Sequence, residues 1–258
     1  MAKLILITGA SSGLGQALAV RYYQAGFNLA LVARRTEDVE TWAKSHAWLR
    51  SRYAVYGADV VDIDSIIAAG QACLRQQGLP DVVIACAGIS VGVDTAQRAD
   101  LDVMAQTFAT NNIGTAATFH PFVEAMKSRR SGTLVGIGSV NGIRGFAGHG
   151  ANCPSKAAMI VYCESLRLEL SGNGVRVVTI CPGYIATPLT QQNRMPMPFL
   201  MQPEVFAARA YMAIEAGVSY RVIPWQMGAV AKLLRILPNW AFDRAFAGRA
   251  RKARKTQT

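Results

Sequence analysis

The 258-residue chain is 51% hydrophobic and 17% charged, enough apolar material for one well-buried α/β domain and too ordinary a balance for a disordered or fibrous chain. Its longest apolar runs, such as Leu4–Ile7 and Val177–Cys181, are far shorter than a bilayer span, and strand-like sequence from Lys3 leaves no room for a secretory leader, so a cytoplasmic location is expected. The formal charge of +11 suggests nucleic acid until it is located: eight basic residues against the single acid Asp243 lie from Lys232 onward, the rest carries only +4, and no nucleic-acid partner is expected.

The first apolar run, Leu4–Thr8, predicts a strand, and "GASSGLG" follows it into a helical pattern over Leu14–Ala25. Gly9, Gly13 and Gly15 between strand and helix let backbone amides approach a pyrophosphate, so a dinucleotide is expected there. The second strand, Asn28–Ala33, runs into "ARR" rather than an acid. A carboxylate there would accept hydrogen bonds from an adenosine ribose and favour NAD. Arg34 and Arg35 instead offer forked, permanent cations to a 2′-phosphate, so NADP is expected ahead of NAD. Further strands are predicted at Tyr53–Gly57, Asp81–Cys86, Gly132–Gly138, Gly174–Cys181 and Tyr220–Ile223, with helical spacing over Leu101–Lys127 and Ala157–Ser171. Apolar strands alternating with helices predict a parallel sheet covered on both faces. The expected fold class is therefore α/β, a single doubly wound Rossmann domain with a seven-stranded parallel sheet over residues 1–224.

Residues 225–258 read as a helical, basic extension of the same domain. Val230, Leu233, Leu234 and Leu237 predict an apolar helix stripe closed by Pro238, and Trp240, Phe242 and Phe246 follow among basic residues. Two readings stand side by side. The segment either packs over a substrate cleft or a subunit interface and ends in a solvated tail, or anchors the protein peripherally on anionic lipid at the inner membrane face. The five cysteines (73, 86, 153, 163 and 181) are odd in number and lack paired metal spacing, so reduced thiols and no metal are expected.

Several motifs, in order, resemble those of the short-chain dehydrogenase/reductase family over roughly residues 3–223. "TGASSGLG" (Thr8–Gly15) is similar to its glycine motif, "ADV" (Ala58–Val60) to the stretch after its third strand, and "ACAG" (Ala85–Gly88) to its NNAG. "NNIG" (Asn111–Gly114), "GIGSVNG" with Ser139, and "PGYIATPL" (Pro182–Leu189) continue the likeness. The resemblance implies a cofactor site built from Gly9, Ser11, Ser12, Gly13, Leu14, Gly15, Arg34, Arg35, Asp59, Val60, Ala87, Gly88, Lys156, Pro182, Gly183, Ile185 and Thr187. It implies catalytic roles for Asn111, Ser139, position 152 and Lys156, and a homodimer or homotetramer. The activity implied is exchange of hydride between a nicotinamide and a carbonyl or secondary alcohol. A lid over residues 188–201, rich in Met, Pro and Phe, suggests an apolar small-molecule substrate.

One residue departs from the pattern. The family's Tyr-x-x-x-Lys falls thirteen residues after the serine, which is Asn152, with Lys156 in register. An amide can hydrogen-bond a carbonyl oxygen but cannot supply a proton at neutral pH. Loss of a general acid costs a factor of about 10²–10⁴, so strongly impaired turnover is expected. The alternative is a non-catalytic NADP(H) sensor or scaffold. Among neighbours of position 152, His149 reads as a solvated loop residue, Cys153 as pointing away by about 100° around the helix, and Tyr184 as a wall of the site. Cys86, in place of a second family asparagine, makes a naturally divergent site more plausible than a single altered residue would.

Overall fold

The computed structural model describes residues 2–191, 196–248 and 251–254. Seven strands, β1 (Leu4–Thr8), β2 (Asn28–Ala33), β3 (Tyr53–Gly57), β4 (Val82–Ala85), β5 (Gly132–Ile137), β6 (Val175–Pro182) and β7 (Tyr220–Ile223), form one sheet. All pairings are parallel, in the order β3-β2-β1-β4-β5-β6-β7. The expected single doubly wound domain with seven parallel strands is what the chain forms.

The helices are α1 (Gly13–Gln24), α2 (Thr36–Ser45), α3 (Ile63–Gln76), α4 (Arg98–Phe108), α5 (Gly114–Arg129), α6 (Asn152–Glu169), α7 (Pro188–Gln191), α8 (Pro203–Glu215), α9 (Trp225–Ile236) and α10 (Asn239–Phe246). Side chains along a strand alternate between faces. Ile5, Ile7, Leu29, Leu31, Ile84 and Val178 accordingly meet Leu18 and Tyr22 of α1 and Phe206 and Ile214 of α8 on one side. Leu4, Leu6, Val32, Val83 and Leu134 meet Ile66 of α3, Phe119 and Phe122 of α5 and Met159 of α6 on the other. The uniformly apolar strands thus feed two cores, one per face, which is why no strand in the middle of the sheet shows polar alternation.

Local chemistry starts and stops the helices. The Asp62 carboxylate accepts the Ser65 N–H at 3.1 Å and so satisfies one orphan donor of α3. Between α4 and α5, residues Ala109–Ile113 form a π-turn in which the Gly114 N–H reaches the Ala109 carbonyl, one residue further than in an α-helix. That extra residue places Asn111 on the inner side of an otherwise continuous helical pair.

The C-terminal helices correct the predicted stripe. Met227, Ala231 and Phe242 are the buried residues of α9 and α10, whereas Val230 and Leu233 face outward. The reason is Arg144, which fixes the orientation from the loop after β5. Its guanidinium donates to the carbonyls of Leu234 (2.9 Å), Arg235 (3.1 Å) and Leu237 (2.9 Å), capping α9, and lies over the Phe242 ring.

The predicted solvated tail is corrected too. Residues Arg251–Arg254 return across the body of the domain as a short strap. The Gly92 N–H donates to the Ala253 carbonyl at 3.1 Å, Arg254 holds Asp100 with two bonds of 2.6 and 2.9 Å, and Arg251 lies 3.4 Å from Asp94. Acid on the α4 side meets base on the strap, and the Asp100 carboxylate is largely withdrawn from water.

Candidate active site

Strand order reverses between β1 and β4, and a cleft of about 1510 Å³ opens there along the C-terminal ends of the strands. Gly9, Ser11, Ser12, Gly13, Leu14 and Gly15 line it from the first turn, Arg34 and Arg35 from the end of β2, and Asp59 and Val60 from the end of β3. Ala87, Gly88 and Thr187 complete the set, while Lys156, Pro182, Gly183 and Ile185 stand outside that lining. Two glycines are dictated by space. Gly9 has φ +71° and a Cβ there would stand 2.9 Å from the Ala87 backbone; a Cβ on Gly15 would collide with the Gly9 carbonyl. The cradle is bare backbone, as a diphosphate requires.

Arg34 and Arg35 are held only lightly. Arg34 lies 3.6 Å from Asp59 and Arg35 lies 2.7 Å from Asp38, both pairs well exposed. Such pairs are worth at most about 1 kcal/mol each, so a phosphate can displace them. The Asp59 carboxylate also accepts the Val61 N–H at 3.1 Å, fixing the turn after β3.

Deeper in, one chain of hydrogen bonds links the loop after β4 to the start of α6. Asn111, fully buried, accepts the Ile89 N–H at 3.0 Å and donates to the Ile89 carbonyl (3.1 Å) and to Ser155 Oγ (2.9 Å). Ser155 Oγ in turn donates to the Asn152 carbonyl at 3.0 Å. Asn152 opens α6 and is 3% exposed. One turn on, the Lys156 ammonium donates to the Ile137 carbonyl at 3.0 Å, at the end of β5. Burial holds the Lys156 pKa below its ordinary value, partly opposed by the thiols of Cys86 and Cys181. Ser139 accepts the Asn141 N–H at 3.1 Å through its hydroxyl at the head of a 3₁₀ turn, Val140–Gly142. Cys86 is itself a neutral thiol, pushed up to about 12 by burial, and its N–H and that of Ala87 bond to Thr8 Oγ1 at 3.1 and 3.3 Å.

His149 overturns its expected solvation. It is 5% exposed, and neither ring nitrogen has a hydrogen-bond partner among the described residues. The strap explains this: Lys252 passes so near that a Cβ on Gly148 would stand 2.7 Å from its backbone nitrogen. Burial, and after it the Lys252 ammonium, lower the His149 pKa to about 4, leaving a neutral imidazole at pH 7. Cys153 donates its N–H to the His149 carbonyl at 2.9 Å, and its thiol is pushed up to about 11 by burial. Tyr184 is half-buried, and its carbonyl accepts the Met201 N–H at 3.0 Å, which ties down the end of the predicted lid, of which residues 192–195 lie outside the described residues.

Sequence reasoning missed Ser155, Thr8, Ser90, Asp100 and the whole strap. The signal for the last lay in charge: Asp94, Asp100 and Asp102 form the acidic stretch that the basic terminus could neutralise.

The model for short chain dehydrogenases matches residues 3–197. An uncharacterized oxidoreductase of Myxococcus xanthus is 35% identical over 243 residues, covering 94% of this chain and 96% of that protein. An NADP-dependent 3-hydroxy acid dehydrogenase of Schizosaccharomyces pombe is 31% identical over 190 residues, 72% of each chain. In structure, a short chain dehydrogenase from Burkholderia cenocepacia in complex with NADP superposes with a TM-score of 0.81, covering 96% of this chain and 98% of that one at 20% identity. The glycine cradle at the switch point and the Asn111–Lys156 network therefore sit in a chain that belongs to the short-chain dehydrogenase/reductase family of oxidoreductases.

Proposed function

We propose that the protein is an NADP-dependent oxidoreductase that interconverts a carbonyl and a secondary alcohol, slowed by Asn152. The observation that carries the reading is the Ile89–Asn111–Ser155 chain, which ends on the Asn152 main-chain carbonyl one turn before Lys156 and so fixes the frame around a position that lacks a titratable group. The bare cradle at Gly9 and Gly15 and the two displaceable arginines fit a dinucleotide phosphate. When bound, that group supplies or accepts the hydride. Gly9–Gly15 would hold its diphosphate and Arg34 and Arg35 its 2′-phosphate, with Lys156 toward its ribose and Ile185 and Thr187 toward its carboxamide end. Ser139 and the Asn152 amide orient the substrate oxygen by hydrogen bonds. Neither yields a proton at neutral pH, so the proton comes from water, and the reaction pays about 10²–10⁴ in rate. Asn152→Tyr tests this: steady-state reduction across a ketone and aldehyde panel should rise by about 10²-fold or more with NADPH affinity nearly unchanged. Equal rates in the two proteins would remove the claim that position 152 lacks its acid.

The same missing acid favours a second reading, a NADP(H) sensor without chemistry. The tyrosine variant separates the two, since a sensor whose substrate compartment has been lost gains no turnover on any member of the panel.

Two surfaces support association. On α9 and α10, Trp225 (68% exposed), Leu233 (59%), Ile236 (77%) and Trp240 (75%) face solvent, flanked by exposed Lys232, Arg235 and Arg244. Aromatic and basic residues mixed on one face suit an anionic lipid surface; no described helix is long and apolar enough to cross a membrane. Elsewhere, Leu101 and Ile113 near α4 and α5, and Val161 and Leu168 on α6, are also exposed, which favours a homo-oligomer through these helices.

A further inference from the structure

The cleft lined by the glycine cradle is also lined by α4 and by the strap, through Asp100, Asp102 and Arg254. Among the described residues, three carboxylates line this cleft, Asp59, Asp100 and Asp102, a set that repels a diphosphate unless it is neutralised. Each meets an arginine. Arg34 lies 3.6 Å from Asp59 and Arg98 lies 2.9 Å from Asp102, both in exposed pairs that water screens. Asp100 differs on two counts. Its side chain is only 7% exposed, so its charge is screened least, and its partner Arg254 comes from 154 positions away, on the strap. Hydrogen bonds from Arg254 and from the Asp94 N–H hold its carboxyl below the ordinary value, so it is charged at neutral pH.

The strap reaches this wall through a seat shaped for it. The Gly92 N–H donates to the Ala253 carbonyl at 3.1 Å, and a Cβ at Gly92 would collide with the carbonyls of Lys252 and Ala253. The Lys252 ammonium donates to the Ser90 hydroxyl at 2.5 Å. Gly92 is buried and outside the cleft lining, whereas Ile89 and Val91 of the same loop line it. The strap therefore clamps a loop that walls the cleft, and it brings the cation for the most secluded acid of that wall.

We propose that the strap is a latch coupled to the dinucleotide: docked, its Arg254 neutralises the Asp100 carboxylate on the cleft wall; released, it leaves that charge bare toward an anionic ligand. The inference rests on the dinucleotide reading of the cleft and is independent of the chemistry at position 152. Its sign follows from charge. A ligand carrying several negative charges binds the docked state more tightly, and by linkage it holds the strap down by the same factor.

The test titrates the full chain with NADPH by fluorescence at low salt, while hydrogen exchange at the position-92 amide reports whether the strap is docked. Gly92→Ala displaces the strap without altering any charge or any residue of the cleft lining. Arg254→Gln removes the cation and keeps the backbone seat. Each should weaken NADPH binding by about 10-fold, a usual size for coupling between two sites, and the loss should shrink as salt rises. Adding Asp100→Asn to either variant should restore most of the affinity, which a purely structural role for the strap would not allow. In the parent protein, saturating NADPH should slow exchange of the Gly92 amide by the same factor of about 10. The latch is overturned if an undocked Gly92→Ala or the Arg254→Gln chain binds NADPH as the parent does, if Asp100→Asn restores nothing, or if NADPH leaves the Gly92 exchange unchanged. A parent that binds neither NADPH nor NADH removes the dinucleotide reading and the latch with it, whereas a parent that binds no better than its variants removes the latch alone.

Discussion

At the level of single residues, the cofactor preference turns on two side chains. Arg34 and Arg35 lie in weak exposed pairs, free to turn onto a 2′-phosphate. NADPH should therefore bind more tightly than NADH by about 1.5–3 kcal/mol, the range for hydrogen bonds to a charged group. Arg34→Asp should reverse the order in fluorescence titrations of the two cofactors; equal affinities in the parent protein would count against the NADP assignment. These residues were legible in the sequence because motif and strand end coincide: the glycines open a helix directly after a strand, and the arginines follow the next one. The place of Asn152, at the head of α6 one turn before Lys156, was legible from its spacing to Ser139 and Lys156. Ser155 was not. A serine inside "PSKAA" gives no sign that its hydroxyl will join Asn111 to the Asn152 carbonyl, since that depends on a π-turn 44 residues away. His149 was misread because local sequence reports a loop, and only the distant strap buries it.

At the level of elements, the strap is fastened chiefly by Asp100. The hydrogen bond from Arg254, followed by that from the Asp94 N–H, holds the Asp100 carboxyl below its ordinary 3.8. A depressed folded pKa contributes stability above the unfolded value and loses it as pH falls through the folded one. The strap should thus stay docked from neutral pH down to about 3.8 and release below it. Asp100→Asn should mimic the acid state at pH 7 by exchanging a charge-assisted pair for a weaker bond, seen as faster hydrogen exchange at the Gly92 amide that bonds Ala253. Unchanged exchange would mean that backbone pairing alone holds the segment. The strands were legible as elements because they are mostly apolar runs, with boundaries displaced by a single residue at β4, β5 and β6. The α9 stripe was legible as a helix but not as to face, because Arg144, roughly ninety residues upstream, decides which side turns inward.

At the level of the whole molecule, part of the charge on the described C-terminal residues lies inside the fold and part outside it. Arg251 and Arg254 are neutralised within the fold, while Lys232, Arg235 and Arg244 remain on the outer face with Trp225, Ile236 and Trp240. The full chain should therefore sediment with anionic vesicles at low salt and be released as ionic strength rises. Trp240→Asp with Ile236→Asp should abolish the binding, while light scattering should report an unchanged particle mass. A chain that ignores vesicles would reassign that face to a protein contact.

The strap also imposes an order on biosynthesis. Apart from Arg254 of the strap itself, the dinucleotide cleft is lined by residues between Gly9 and Leu189, whereas Lys252 reaches back 162 positions to Ser90. A chain emerging from the ribosome completes its nucleotide cradle well before the last wall of the reaction compartment exists. A nascent chain can thus load cofactor through a flank that is still open until the strap docks.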